Sequence, residues 1–202
     1  MIKIAISHRV YEDLNKREHR DCLDQRWVYL ADVLDGLLYP VPTQTKDINL
    51  WLNTLRPDFI ILSGGNSLEK HNDNDIAPEK DKSEIKILDW ATKNDIPTLG
   101  VCRGAQLINQ YFGGNDIKPV GHSQRHFIRH NGQFDDNVNS SHSYCILKNI
   151  LNNNSEILAT AHNVVEAFKI TDKKIWAIMW HPEREITFTE KDICFIKSII
   201  GQ

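Results

Sequence analysis

A short apolar segment, Ile96-Pro97-Thr98-Leu99, runs into Gly100-Val101-Cys102-Arg103-Gly104, and Leu107, Ile108, Tyr111 and Phe112 follow at helical spacing before Gly113-Gly114. This order reads as a buried strand, a sharp turn and an amphipathic helix with a C-terminal stop. So tight a strand-to-helix turn strains the backbone of its central residue, and small flanking residues let neighbouring backbone pass close by. Cys102 holds the central position, with Gly100 and Gly104 on either side. Its thiol is expected at the helix N-terminus, where free N–H groups and the dipole favour a negative sulfur. Free cysteines are more often small apolar filling, and Cys22, Cys145 and Cys194 read that way, the last two within apolar runs. Cys102 reads as an attacking group.

At 202 residues the chain is expected to form one domain, spanning 1–202, large enough for a sheet covered on both faces. A formal charge of −3 supplies no global basic field, so nucleic acid is not an expected partner. Four widely spaced cysteines without a CxxC pair suggest neither a disulfide framework nor zinc. Met1–Ile6 is too short for a signal-peptide core and reads as a first strand. No apolar run approaches the ~20 residues that span a bilayer, so no membrane partner is expected and the cytoplasm is the default.

Along the chain, residues 2–6 alternate as a strand, and residues 7–26 are polar and charged. Trp27, Leu30, Ala31, Val33 and Leu34 predict a helix ending near Gly36, and residues 47–55 a short helix before Pro57. Asp58–Leu62 is a strongly apolar strand running into Ser63-Gly64-Gly65-Asn66, a turn where backbone N–H groups can be exposed. Residues 66–82 read as a surface loop. The next helix carries Asp81 and Glu84 as a capping box and Ile85, Leu88 and Ala91 on one face. Short apolar runs at 126–128, 143–147, 156–160, 164–170 and 175–180 suggest further strands, 131–140 reads as a loop, and Thr189 caps a final helix. Strand–helix alternation followed by extra strands predicts an α/β domain, its mostly parallel central sheet flanked by helices, with additional strands in the C-terminal half. Ligands bind such sheets beyond the carboxyl ends of the strands.

A cysteine nucleophile needs a base, the base an orienting group, and the developing oxyanion donors. Trp180-His181-Pro182-Glu183, at the end of an apolar strand, offers His181 as base and Glu183 as the group that holds its ring. The backbone N–H groups of Arg103 and Gly65 are the candidate oxyanion donors.

Gly100–Gln106, Ser63-Gly64-Gly65 and Trp180–Glu183, in this order and spacing, resemble the class I glutamine amidotransferase-like superfamily over nearly the whole chain. The resemblance implies its flavodoxin-like fold. Cys102-Arg103-Gly104, Ala77–Asp81 and Val138–His142 are similar to its gamma-glutamyl hydrolase branch. It implies Cys102 as nucleophile, His181 as base and Glu183 as its partner, with Gly65 and Arg103 as oxyanion hole. Gly64, Gln106, Asn139, Ser140, Ser141 and His142 would hold the amino acid end of a gamma-glutamyl group. The implied reaction cleaves a small gamma-glutamyl amide through a gamma-glutamyl thioester, with no metal or organic cofactor. Ser63 replaces the proline of many relatives, and Ser143 a second histidine usual in gamma-glutamyl-amino-butyrate hydrolases, which bears on the leaving group rather than the chemistry.

His122, His126 and His130 recur every four residues, but the glycines around them disfavour a helix, and on a strand they stand too far apart to bind one ion. One of them lining the pocket is the stronger expectation. The basic residues Arg9, Arg17, Arg20 and Arg26 sit among acidic neighbours as a solvated face does. They also follow the first strand at the end where the elbow lies, where Arg9, Arg17 and Arg20 could meet a phosphate-bearing leaving group. By resemblance, a hydrolase of a gamma-glutamyl nucleotide amidate, as in capsule phosphoramidate synthesis, would need such a site. The other readings are a glutaminase subunit supplying ammonia to a separate synthase chain, and a non-catalytic binding member of the fold. A homodimer is compatible with each.

Overall fold

Ile4 and Ile6 point to one side of the first strand and Ala5 to the other, and all three are fully buried. The same alternation runs through Phe59–Leu62 and Thr98–Val101, so these strands are covered on both faces. The computed structural model describes residues 1–117, 124–131 and 135–202. The first half of the chain supplies β1 (Ile2–Ile6), a hairpin of β2 (Arg9–Asp13) and β3 (Glu18–Cys22), α1 (Arg26–Val33), β4 (Gly36–Pro40) and α2 (Ile48–Leu55). β5 (Phe59–Leu62), α3 (Pro78–Asn94), β6 (Thr98–Val101) and α4 (Arg103–Tyr111) follow. The second half supplies β7 (His126–His130), β8 (Asp135–Val138), β9 (Ile146–Leu147), β10 (Ser155–Ala161), β11 (Val164–Ile170), β12 (Ile175–Ile178) and α5 (Glu190–Ile200).

The centre is a parallel sheet in the order β4-β1-β5-β6-β12, within a single α/β domain. The C-terminal strands extend it antiparallel through β11, β10, β7 and β8, with β9 pairing β11. On one face Ala5, Ile60 and Leu62 pack with Leu52, Ile87, Leu88 and Ile108 from α2, α3 and α4. On the other, Ile4, Ile6, Phe59, Ile61 and Val101 pack with Trp27, Leu30, Ile196 and Ile199 from α1 and α5. Each such aliphatic side chain contributes roughly 1.5–3 kcal/mol of burial. From β1 the chain moves out to β4 and then returns to β5 on the opposite side, which opens a crevice beyond the carboxyl ends of those strands. Ser7, Ser63-Gly64-Gly65, Cys102 and His181 all follow strand ends there.

Several local expectations change. Residues 9–22, read from the sequence only as polar and charged, form a two-stranded hairpin. Its strands are almost wholly exposed, so no apolar period marked them. α3 begins at Pro78, whose fixed φ suits the first helical position, and not at a capping box. Asp81 and Glu84 instead turn inward, and Ile85 faces solvent. Residues 69–71 within the expected surface loop form a 3-10 turn, and 135–138 within another form β8. Asp47 and Thr189 do cap α2 and α5, accepting from the N–H groups of Leu50 and Asp192. Cys145 is buried as expected, but Cys22 and Cys194 are exposed.

The elbow depends on its glycines. A Cβ on Gly100 would lie 2.5 Å from Ile108 Cδ1, and one on Gly104 would lie 2.1 Å from the Leu62 carbonyl oxygen. Helix α4 is therefore seated against the backbone of β5. Gly104→Ala should lower stability by about 1–3 kcal/mol, the usual range for overpacking, read as a lower urea midpoint. A wild-type midpoint would show that α4 does not depend on this contact.

Candidate active site

Cys102 sits at φ 54° and ψ −103°, between the end of β6 and the first turn of α4. Its own N–H donates to Ile178 O at 2.7 Å, and its carbonyl accepts from Gln106 N at 3.1 Å. The turn is thus tied to β12 on one side and to its helix on the other. His181 follows β12 and is 1 % exposed, and its Nδ1 donates to Glu183 Oε1 at 2.7 Å. Its Nε2 is buried with no other hydrogen-bond partner among the described residues and is left for Cys102. A Cβ on Gly64 would lie 2.9 Å from His181 Cε1 and 3.6 Å from Cys102 Cβ. Only a residue without a side chain lets the two come together there. The imidazole thus has Glu183 on one side and Cys102 as its other partner.

Three side chains fix the His181–Ile186 segment from outside. Asn139 Oδ1 accepts from His181 N at 2.9 Å, and its Nδ2 donates to His181 O and to Glu185 Oε1, each at 2.7 Å. Arg26 donates to the carbonyls of Glu183, Glu185 and Ile186. Arg125 pairs both oxygens of Glu185 at 2.6 and 2.8 Å.

A polar cavity of about 200 Å³ opens at Cys102, with Gly65, Arg103, Gln106, His181 and Arg184 in its wall. Ser141, His142, Ser143 and Tyr144 line it too, and Arg9, Asn66, Ser67 and Asp75 close the rim. Gln106 Nε2 and His142 Nδ1 both donate to the Tyr144 carbonyl, at 3.1 and 2.9 Å. The structure therefore brings together Cys102, His181, Glu183, Gly64, Gly65, Arg103, Gln106, Ser141 and His142. Asn139 and Ser140 are not among the lining residues, and Asn139 is spent on the His181 backbone. Arg9 reaches the site, whereas Arg17 sits in the hairpin turn and Arg20 pairs with Glu18, both away from the cavity. His122 lies outside the described residues. His126 pairs with Glu166 and His130 lies edge-on to Trp180, so neither lines this cavity. A second cavity of about 280 Å³ adjoins the first across Gly65, Arg9 and Arg184, with Cys22, Leu23, Asp24 and Trp27 in its wall. A larger groove of about 710 Å³ beside α2 is far from these groups.

Beneath the cavity lies a buried ionic network that charge patterning conceals. The guanidinium of Arg103, 2 % exposed, pairs with Asp81 and Glu84 from α3. Burial pulls it down to about 10 against the opposing pull of Asp81. Glu84 also accepts from Ser7 Oγ and lies 3.3 Å from Lys80 Nζ. Lys80 and Glu84, four residues apart, look in sequence like an exposed helical pair. Arg184 had no marker beyond its place beside His181 and Glu183.

Burial pushes His181 down, but the hydrogen bonds and charges of Cys102 and Glu183 outweigh it and hold the ring up at about 9. A raised folded-state value contributes stability below the unfolded value of about 6.5, and this is lost as pH rises through about 9. The wild type should therefore lose stability relative to His181→Gln as pH is raised from 6.5 to 9. Glu183→Gln should move the ring's titration, followed by NMR, down towards about 6.5; an unmoved titration would assign the raised value to Cys102 alone.

Comparison with known proteins agrees with this architecture. The profile of the family Glutamine amidotransferase class-I matches residues 34–200. A gamma-glutamyl-CDP-amidate hydrolase of Campylobacter jejuni is 31 % identical over 188 residues, covering 90 % of each chain. A glutamine-hydrolyzing GMP synthase subunit of Methanosphaera stadtmanae is 32 % identical over 162 residues, 76 % of this chain and 78 % of its own. Among solved structures, a GMP synthase subunit of Thermoplasma acidophilum superposes with a TM-score of 0.71 at 21 % identity, over 100 % of this chain and 93 % of its own. A glutamine amidotransferase of Thermotoga maritima does so at 0.69 and 15 % identity, over 99 % and 84 %. With that profile spanning the strands from β4 onward, the elbow and the His181 segment, the chain belongs to the class I glutamine amidotransferase family.

Proposed function

We propose that this protein is a cysteine-dependent hydrolase that releases glutamate from a gamma-glutamyl amide whose leaving group carries phosphate. The observation behind this reading is the pair of adjoining cavities that share Arg9, Gly65 and Arg184, one holding Cys102 and the other lined by Cys22, Leu23, Asp24 and Trp27. An amide bond at Cys102 would have its glutamyl side in the first cavity and its leaving group directed to the second. The similarity to a hydrolase of gamma-glutamyl-CDP-amidate supports the same division.

In this mechanism the Cys102 sulfur attacks the gamma-carbonyl carbon and the carbonyl oxygen gains negative charge. The N–H groups of Gly65 and Arg103 receive that charge; one such donor is worth roughly 3 kcal/mol of barrier. The C–N bond breaks as His181, held protonated at neutral pH, gives its proton to the departing nitrogen. Water then adds to the thioester with His181 as base, releasing glutamate and restoring the sulfur. Glu183 keeps the ring oriented through both halves. Gln106, Ser141 and His142 hold the amino acid end, Asp75 supplies a carboxylate for its ammonium, and Asn139 positions the base. Arg184, about 43 % exposed with Glu183 3.7 Å away, and Arg9, paired with Asp75 at 2.9 Å, face the leaving group.

Purified wild type should release glutamate from a gamma-glutamyl amide of a phosphorylated compound faster than from glutamine or gamma-glutamyl-amino-butyrate. Cys102→Ala should abolish this. Arg184→Gln should lower kcat/KM for the phosphorylated substrate about tenfold, the scale of one charge-assisted hydrogen bond, with the neutral amides within about twofold. Equal losses on both would remove the leaving-group role. Activity on glutamine alone, dependent on an added synthase chain, would instead favour a role in supplying ammonia, as the relative named for GMP synthase suggests.

A further inference from the structure

Lys80 lies in the first turn of α3 with 1 % of its surface exposed, an expensive place for an ammonium unless its protons are used. They are used on one short segment. Nζ donates to the Ser63 carbonyl at 3.3 Å, to Ser63 Oγ at 3.2 Å and to the Gly64 carbonyl at 3.1 Å. It lies 3.3 Å from Glu84 Oε1 as well. This is the turn that carries Gly65, whose N–H is taken by no acceptor among the described residues.

The Gly64 carbonyl and the Gly65 N–H belong to one peptide unit. A trans peptide is planar, so its C=O and N–H point in opposite directions. A carbonyl anchored on Lys80 therefore aims the N–H the other way, towards the cavity that Gly65 shares with Cys102. This unit needs an anchor more than most. It joins two glycines, and Gly65 stands at φ +85°, so rotation of the whole unit meets little steric resistance. Rotated, it would present a carbonyl oxygen to the cavity in place of a donor. A hydrogen bond to the carbonyl also polarises the peptide and strengthens its N–H as a donor.

The anchor connects to the other donor. Glu84 lies between Lys80 and Arg103, its two oxygens divided between them, and Ser7 Oγ donates to the oxygen on the Lys80 side. Ser63 N donates to Ser7 Oγ at 2.8 Å, a bond that proline at this position would lack. One buried network thus reaches the segments that carry both candidate oxyanion donors.

We propose that Lys80 is a positioning residue for hydrolysis: its amino group locks the Gly64–Gly65 peptide with the N–H directed at the developing oxyanion and, through Glu84, keeps Arg103 in register with it. The role rests on the hydrolase reading above. Lys80→Met preserves length and removes the donors, while Glu84 keeps Arg103 and Ser7 as partners. It should lower kcat for the gamma-glutamyl substrate on the order of a hundredfold, the effect of losing one oxyanion donor, with KM within about threefold. Its crystal structure should show the Gly64 carbonyl turned towards Cys102 or the peptide in two orientations. An unmoved peptide with kcat within threefold of wild type would overturn the role, as would equal changes in kcat and KM. Lys80→Arg decides the matter even where Lys80→Met does not fold. Its kcat should be retained only when the guanidinium bonds the Gly64 carbonyl, and full activity without that bond would remove the proposal. A wild type that hydrolyses no gamma-glutamyl amide would defeat the hydrolase reading, and the peptide orientation in the crystals would still settle whether Lys80 is its lock.

Discussion

The backbone of Cys102, held at φ 54° and ψ −103°, is the constraint around which this structure closes. A non-glycine residue in that region costs on the order of 1–3 kcal/mol and persists only when its surroundings over-determine it. They do so here from every side. β6 is paired on both edges, by β5 and by β12, so the strand cannot yield. α4 cannot retreat, because the Cα of Gly104 is seated against the Leu62 carbonyl and the Arg103 side chain is fastened to α3. The strain sits between two rigid elements, and the sulfur is presented where those elements end.

That fastening uses charges, which is unusual so deep in a domain. Lys80, Asp81, Glu84 and Arg103 are all at most 9 % exposed. Apolar residues would fill the same space at less desolvation cost, and buried ion pairs are weak evidence of stability. What a charged network adds is direction. A guanidinium fork on two carboxylates and an ammonium on two carbonyls permit few arrangements, whereas methyl groups permit many. Removing one member leaves another buried charge unpaired, typically at a cost of about 3–5 kcal/mol. Cooperative loss of this kind suits a site whose donors must be held to a fraction of an ångström.

The strands and the elbow were legible because their signals are local. Phe59–Leu62 is apolar at every position, and Gly100 and Gly104 flank Cys102 in the strand–turn–helix order. His181 and Glu183 could be matched to the cysteine because a single residue separates them and a strand delivers them. The hairpin at 9–22 could not be read, since strands exposed on both faces carry no alternation. The Lys80–Glu84–Arg103 network was hidden for a different reason. Charges four residues apart on a helix signal a solvated face, and only the arrival of Arg103 from α4 turns that face inward. Asn139 was legible as a site residue but not in its function, because a bond to another segment's backbone leaves no mark in sequence.

The second cavity draws on a part of the chain that the first hardly uses. Cys102, Gln106, His142 and His181, around the first, all fall within the family match of 34–200. In the second, Arg9, Cys22, Leu23, Asp24 and Trp27 precede it, while Ser63, Gly64, Gly65, Glu183 and Arg184 fall within it. The strained elbow at Cys102 needs the geometry of the strand ends to stay fixed. The part of the substrate that departs can be met by whatever the first connection, between β1 and β4, places beside it. Here that connection carries the β2–β3 hairpin, and Arg9 at its base borders both cavities at once. The hairpin contributes little to either core, so its sequence can vary without loosening the sheet. Under the proposed reading, substrate choice is therefore the least constrained property of this fold and the elbow the most constrained.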